Sequence, residues 1–219
     1  MNLHNKRLVV TGANGSLGRA LVQRATELGA EVIRVVQRSD GSDALAVDLA
    51  DAEQCLRVLA PLADVDVLCN VAGGFTMAAF DSDGAEGDWQ AMQMINVDTA
   101  RNACRALLPG MVARGSGAIV NVGALGALRG SAQLSAYGAA KAALMHLTES
   151  LSAEYRERGI NINAVLPSII DTPANRAAMP QADPQKWVSP QQLANVMCFL
   201  ASDEASAMHG ALLPVRGLS

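Results

Sequence analysis

The chain has 219 residues, of which 50% are hydrophobic and 17% charged, with a formal net charge of −4. This much apolar material excludes a disordered chain, and the length suits one large α/β domain or two small ones. The mild acidity, without a Lys/Arg run, argues against a nucleic-acid or anionic-membrane partner.

Aromatic residues are scarce, at three Phe, two Tyr and two Trp. The core therefore falls to Ala, Val, Leu, Ile and Met, and an aromatic base-stacking surface is not expected. Cys55, Cys69, Cys104 and Cys198 are widely spread without a CxxC pair, which fits buried, reduced thiols in a cytoplasmic protein. The N-terminal residues show no secretory leader, and no apolar stretch approaches the ~18 residues of a membrane span. His4, His146 and His209 have no ligand spacing, so no metal is expected.

In chain order, residues 7–10 read as a short strand, followed by a glycine-rich turn and a helix. Leu17, Leu21, Ala25 and Leu28 share one helical face, and Gly29 ends it. Residues 31–36 form a second strand. Asp51 opens a helix with Cys55, Leu56 and Leu59 inward. Residues 65–71 are a third strand, and a loop rich in Gly and Asp covers 73–87, its acids at 81–88 solvated. A long helix near 88–113 carries Met92, Ile95 and Leu107; Met94, Met111 and Met145 are also expected to pack. A strand over 117–122 follows, then a second long helix over 135–158 ended by Gly159. A strand over 160–166 stops at Pro167, residues 190–202 are helical, and 211–215 make the last strand. The strands are continuous apolar runs alternating with helices, the pattern of a parallel sheet covered on both faces. The fold class is therefore a single doubly wound α/β domain over residues 1–219, with the Pro-rich stretch 167–190 a short loop above the sheet.

The turn Thr11-Gly12-Ala13-Asn14-Gly15-Ser16-Leu17-Gly18 lies at the first βα crossing, where such sheets bind dinucleotides. Gly12 serves the tight turn, Gly18 permits close helix–strand packing, and the helix start faces phosphate with its N–H groups. An acidic residue about 20 positions after such glycines ordinarily holds the ribose 2′-OH. Here the second strand ends in Gln37 and Arg38, the nearest carboxylate being Asp40. Arg38 suits a 2′-phosphate, which favours NADP(H) and leaves NAD(H) open.

Tyr137 and Lys141 are one helical turn apart on the same face. A free tyrosine, with its pKa near 10, is a poor acid/base at neutral pH, and a nearby ammonium lowers that value.

Together these elements resemble the short-chain dehydrogenase/reductase family over essentially the whole chain. The matching residues are Thr11-Gly12-Ala13 with Gly18, Asp48-Leu49, Asn70-Val71-Ala72-Gly73, Asn96, Tyr137-x-x-x-Lys141 and Pro167 to Thr172. The resemblance implies that Asp48 and Leu49 flank adenine and that Asn70, Ala72, Gly73 and Pro167 line the cofactor groove. Lys141 would hold the nicotinamide ribose, Ile170 and Thr172 the carboxamide, and Asn96 a water relaying protons to Lys141, with Tyr137 as acid/base. It also implies a small-molecule substrate and a homodimer or homotetramer built on helices rich in small residues such as Ala139, Ala140, Ala142 and Ala143.

Three departures stand out. Ser16 replaces the motif's middle glycine, with Gly15 one place earlier, and Ser168 replaces the glycine of the usual Pro-Gly pair. The catalytic serine falls at Ala124, thirteen residues before Tyr137. Ser131 or Ser135 could substitute, and losing one such donor costs about 2.7–4 kcal/mol of transition-state stabilisation for a plain ketone. The dihydropteridine reductase branch also lacks that serine. Local stretches here are similar to it: Cys69 to Gly74, Tyr137 to Lys141, and Ala164 to Asp183 with Trp187. A conjugated C=N such as that of a quinonoid dihydropterin accepts hydride more readily than a ketone. Phe75 and Trp187 are candidates to stack on a planar substrate beside Ala124. The expected activity is hydride transfer between nicotinamide C4 and a small carbonyl or conjugated C=N. A 3-oxoacyl-thioester or general carbonyl reductase is the alternative, and a nucleotide-binding regulator without strong turnover the alternative of another class.

Overall fold

The apolar runs assemble into one sheet in this computed structural model, which describes residues 1–39 and 41–219; Asp40 lies outside the described residues. The strands are β1 (Arg7–Thr11), β2 (Glu31–Val36), β3 (Leu45–Ala46), β4 (Val67–Asn70), β5 (Gly117–Val122), β6 (Ile160–Pro167) and β7 (Leu212–Val215). Their order is β3-β2-β1-β4-β5-β6-β7, and every pairing is parallel. The helices are α1 (Ser16–Glu27), α2 (Ala52–Leu59), α3 (Ala85–Gln93), α4 (Thr99–Arg114), α5 (Ser135–Tyr155), α6 (Pro173–Ala178) and α7 (Pro190–Leu200).

Because successive strand residues point to opposite faces, a continuous apolar strand feeds two cores. Val10, Cys69, Val120 and Val165 turn to one face, against Leu17 and Leu21 of α1 and Leu193 and Met197 of α7. Val9, Leu68, Ile119 and Ile162 turn to the other, against Cys55 and Leu59 of α2 and Leu107 and Met111 of α4. The helix ends match their chemistry: Asp51 caps α2 by accepting from Glu53 N and Gln54 N, and Gly29, Gly115 and Gly159 follow helical segments at positive φ.

The structure corrects several expectations. The long helix near 88–113 begins at Ala85, so Glu86 and Asp88 are in the first turn of α3, not in a loop. It is then interrupted by a π-helical segment over Met94–Asp98 before α4 begins. The wider π turn swings Met94 outward to 47% exposure, while Met92, Met111 and Met145 are buried. Leu56 lies off the buried i, i+4 stripe of Cys55 and Leu59 and is 42% exposed. Strand β3 was not expected; it pairs only through Leu45 and Ala46 with Val35 and Val36. The stretch 167–190 contains the short helix α6 as well as loop.

All four cysteines are free and buried, and burial pushes each thiol above its ordinary range. Among the described residues no helix is long and apolar enough to cross a membrane, and no group of His, Cys, Asp or Glu could hold a metal ion.

One buried polar chain crosses the sheet. Asn70 Nδ2 donates to Asn121 Oδ1 at 2.8 Å, Asn121 Nδ2 to Thr148 Oγ1 at 2.9 Å, and Thr148 Oγ1 to Leu144 O at 2.8 Å. It fastens α5 to the carboxyl ends of β4 and β5. Thr148→Val keeps the shape but strands the Asn121 amide in the interior. It should cost about 1–3 kcal/mol in urea unfolding, while Thr148→Ser should stay close to wild type.

Candidate active site

The chain winds away in opposite directions from β1 and β4, so a crevice opens beyond their carboxyl ends. Thr11 closes its floor: the buried hydroxyl accepts from Val71 N at 3.0 Å and Ala72 N at 3.1 Å, and donates to Cys69 O at 3.4 Å. Nothing in the sequence alone marked this latch beyond a hydroxyl at a strand end.

The glycine turn shows the expected geometry. Gly12 has φ +63°, and a Cβ there would stand 2.8 Å from Ala72 N. A Cβ on Gly18 would overlap the Gly12 carbonyl oxygen and stand 2.8 Å from Ala13 Cα. Gly15 is the N-cap of α1 with no side-chain cap, and no acidic residue occupies the first turn. These uncapped N–H groups, at the positive end of the helix dipole, fit a pyrophosphate. Leu17 is buried and Ser16 half-buried; Asn14 is exposed, its carbonyl accepting from Arg19.

Gln37 and Arg38 are exposed just past β2. Asp48 and Leu49 follow β3 on a loop that α4 steadies, since Asn102 Nδ2 donates to Leu49 O at 3.0 Å. Asp48 Oδ1 accepts from Ala50 N, and Leu49 is buried. Asn102 was not anticipated; a buried amide on a helix facing a loop carries no local pattern. Asn70 is buried at the end of β4, followed by half-buried Ala72 and exposed Gly73.

Around Gly73 the catalytic candidates converge. A Cβ on Gly73 would stand 2.9 Å from Asn96 Oδ1 and 3.4 Å from Lys141 Nζ, so only a bare Cα fits between them. Asn96, in the π segment, accepts from Gly74 N at 3.2 Å and donates to Gly74 O at 3.1 Å and Met92 Sδ at 3.5 Å. Its carboxamide is thus engaged by the loop, which leaves the backbone of the π segment as the place where a water could enter the helix ladder.

Lys141 is buried and donates to Val122 O at 2.7 Å; burial pulls its pKa down to about 8. Burial pushes the Tyr137 phenol up to about 12. The sequence suggests an ammonium-lowered phenol, but in the ligand-free chain desolvation acts the other way on both groups. The Tyr137 ring meets Phe75 edge-on, with centroids 4.9 Å apart.

Ala124, just past β5, is 6% exposed and presents only a methyl group where a hydroxyl was sought, while Ser131 and Ser135 are exposed. Pro167 ends β6. Ile170 bridges to Val188, and its carbonyl accepts from Asn175 Nδ2 at 2.8 Å. Thr172 Oγ1 caps α6 by accepting from Asn175 N. Asp171 forms a two-pronged pair with Arg176, at 2.6 and 2.8 Å. Ser168 Oγ donates to Arg216 O at 2.6 Å and lies 2.8 Å from Ser219 Oγ, so this departure from glycine ties the start of the 167–190 stretch to residues 216–219. Trp187 is only 6% exposed, which corrects the idea of an open stacking face there.

The sequence matches the short chain dehydrogenase family over residues 6–183. It is 30% identical to the 3-oxoacyl-(acyl-carrier-protein) reductase of Vibrio cholerae over 240 residues, 99% of this chain and 98% of that protein. It is 33% identical to the galactitol 2-dehydrogenase of Rhizobium johnstonii, over 97% of this chain and 94% of that protein. Among solved structures, a protein from Beutenbergia cavernae described as an NAD(P)-dependent gluconate 5-dehydrogenase, with NADP at low occupancy, superposes with a TM-score of 0.90 at 31% identity, covering 99% of this chain and 97% of that one. A protein from Agrobacterium tumefaciens described as a 2-deoxy-D-gluconate 3-dehydrogenase, with bound NADP, gives 0.89 at 30% identity, covering 99% and 96%. Fold, site and relatives together define an NAD(P)-dependent oxidoreductase, an enzyme class. The chain belongs to the short chain dehydrogenase family.

The buried amine has a consequence for stability. Its folded pKa of about 8 lies below the ordinary 10.5, so between these values the unfolded chain binds more protons and stability rises with pH. Without cofactor, the unfolding free energy of wild type minus that of Lys141→Met should therefore increase from about pH 8 to about pH 10. Urea titrations at fixed ionic strength read this directly.

Proposed function

We propose that the chain is an NADP(H)-preferring reductase acting on a small carbonyl or conjugated C=N acceptor. The observation that carries this is the convergence of Asn96 and Lys141 on Gly73, on the loop whose Phe75 touches Tyr137. Bound cofactor supplies hydride at nicotinamide C4 and, once oxidised, a positive ring charge. Gly12, Asn14, Gly15, Ser16, Leu17 and Gly18 would hold the pyrophosphate end. Gln37, Arg38, Asp48 and Leu49 would hold the adenosine end, and Asn70, Ala72, Gly73, Pro167, Ile170 and Thr172 the groove. Tyr137 hands its proton to the acceptor oxygen or nitrogen. Lys141, still mostly an ammonium at neutral pH with its pKa lowered to about 8, steadies the phenolate left behind, and Asn96 with its π segment supplies the water that returns the proton. Residues 167–190 would close over the acceptor, and a second copy would dock on the small residues of α5.

The acceptor class follows from Ala124. A site without a serine donor favours an acceptor that is already activated, which supports a conjugated, dihydropterin-like C=N. Oxoacyl thioesters, the substrates named for the Vibrio cholerae relative, are the second reading, supported by 30% identity across that whole protein.

A stopped assay with NADPH and NADH against dihydropterin, quinones, an oxoacyl thioester and simple ketones tests this. NADPH turnover is expected, with Tyr137→Phe losing about 10²–10⁴-fold while still binding cofactor. Micromolar cofactor binding with no turnover on any acceptor would overturn it. Separately, Arg38→Ala should raise the Kd for NADPH by about tenfold and leave NADH unchanged, read by cofactor fluorescence. Equal losses, or none, would show that Arg38 does not read the 2′-phosphate.

A further inference from the structure

Proton transfer needs Tyr137 but does not need an aromatic ring beside it. Phe75 nevertheless meets Tyr137 at 4.9 Å with an interplanar angle of 70°. It is also 62% exposed, in a protein otherwise poor in aromatic residues. One side of the ring therefore leans on the acid/base residue and the other is open.

The ring is also held. Immediately before it, both backbone groups of Gly74 are bonded to the Asn96 carboxamide, and a Cβ on Gly74 would crowd Ile95 at 3.2 Å. Three residues beyond it, Ala78 N donates to Gln133 O at 3.0 Å. Gln133 has a positive φ of 64°, uncommon for a residue with a side chain, and stands four residues before Tyr137. Two pins thus bracket a short stretch of loop around Phe75. Next along the loop, and not lined by Phe75 itself, is a groove of about 430 Å³ formed by Thr76, Phe80, Glu86, Asp88, Trp89 and Gln133 among others. An exposed but fixed aromatic face at the mouth of a site selects ligands by shape, because a flat π-system covers it fully and a puckered or hydroxylated chain does not.

We propose that Phe75 is a specificity-determining residue whose open face receives a planar, conjugated acceptor and sets the acceptor's reactive atom beside the Tyr137 hydroxyl. This rests on the reductase reading with Tyr137 as proton donor, and it assigns the substrate class by the flatness of the group next to the reacting carbon. A saturated acyl chain or a polyol gains nothing from the ring.

Benzaldehyde and cyclohexanecarbaldehyde make a matched pair, with the same carbon skeleton, one flat and one puckered. With NADPH, wild type should favour benzaldehyde in kcat/KM. Phe75→Leu should cut that preference by about three- to tenfold, mainly through KM, while Phe75→Trp should keep it. The Kd for NADPH should be the same in all three proteins. Equal falls on both aldehydes, or an unchanged ratio, would overturn the role of Phe75 and leave the reductase reading standing. Equal falls together with a lower mass in sedimentation would assign the ring to a contact between copies of the chain instead. Turnover of neither aldehyde by a wild type that binds NADPH and reduces another acceptor of the stopped assay would overturn the role of Phe75 and leave the reductase reading standing, whereas no turnover of any acceptor would overturn both.

Discussion

The site depends on backbone touching backbone where β1 and β4 end. Gly12 leaves no room between its Cα and the Ala72 amide, and Gly18 presses on the carbonyl of Gly12. Side chains of any size would force these segments apart. Their closeness aims the start of α1 at the crevice, brings Thr11 within reach of the Val71 and Ala72 amides, and sets Gly73 where Lys141 and Asn96 meet. The phosphate end and the proton-handling end are thus two results of one close approach.

A second constraint is the dry interior around α5. Lys141 is placed where water cannot solvate an ammonium, and Tyr137 where water cannot solvate a phenolate. Both groups are held toward their neutral forms in the ligand-free chain. The site spends folding stability to keep a proton transferable, a common compromise at functional positions. The Asn70–Asn121–Thr148 chain restrains the helix that carries both residues through buried amides, though Asn70 Oδ1 at its far end is itself left without a partner among the described residues.

Much of the fold was legible because local chemistry and global architecture agree. Apolar runs alternating with helices specified the parallel sheet, Asp51 announced α2, and Gly29 and Gly159 marked helix ends. What escaped has physical reasons. A two-residue strand such as β3 has no period to detect. The π segment differs from an α-helix by a fraction of a turn, which a hydrophobic pattern cannot register. Helix α6 begins inside a Pro-rich stretch that reads as loop. At the site, the residue types around Tyr137 could be placed in sequence but not their burial, so the direction in which its pKa moves was not readable. The contact of Phe75 with Tyr137 joins loop and helix across 62 positions and leaves no local trace.

Besides its contact with Met92 Sδ, the Asn96 carboxamide exchanges two hydrogen bonds with the N–H and C=O of one residue, Gly74. Two opposed residues in an antiparallel ladder do the same with their backbones. A helix side chain is thereby impersonating the edge of a strand, and the loop after β4 gains the order of a sheet without belonging to one. An aspartate could not play this part, since it offers no donor to the Gly74 carbonyl when ionised. A glutamine carries the same amide one methylene further out. Within the twenty side chains, asparagine alone combines this donor–acceptor pair with this reach, so the loop's order and the interrupted helix are bound to a single amide.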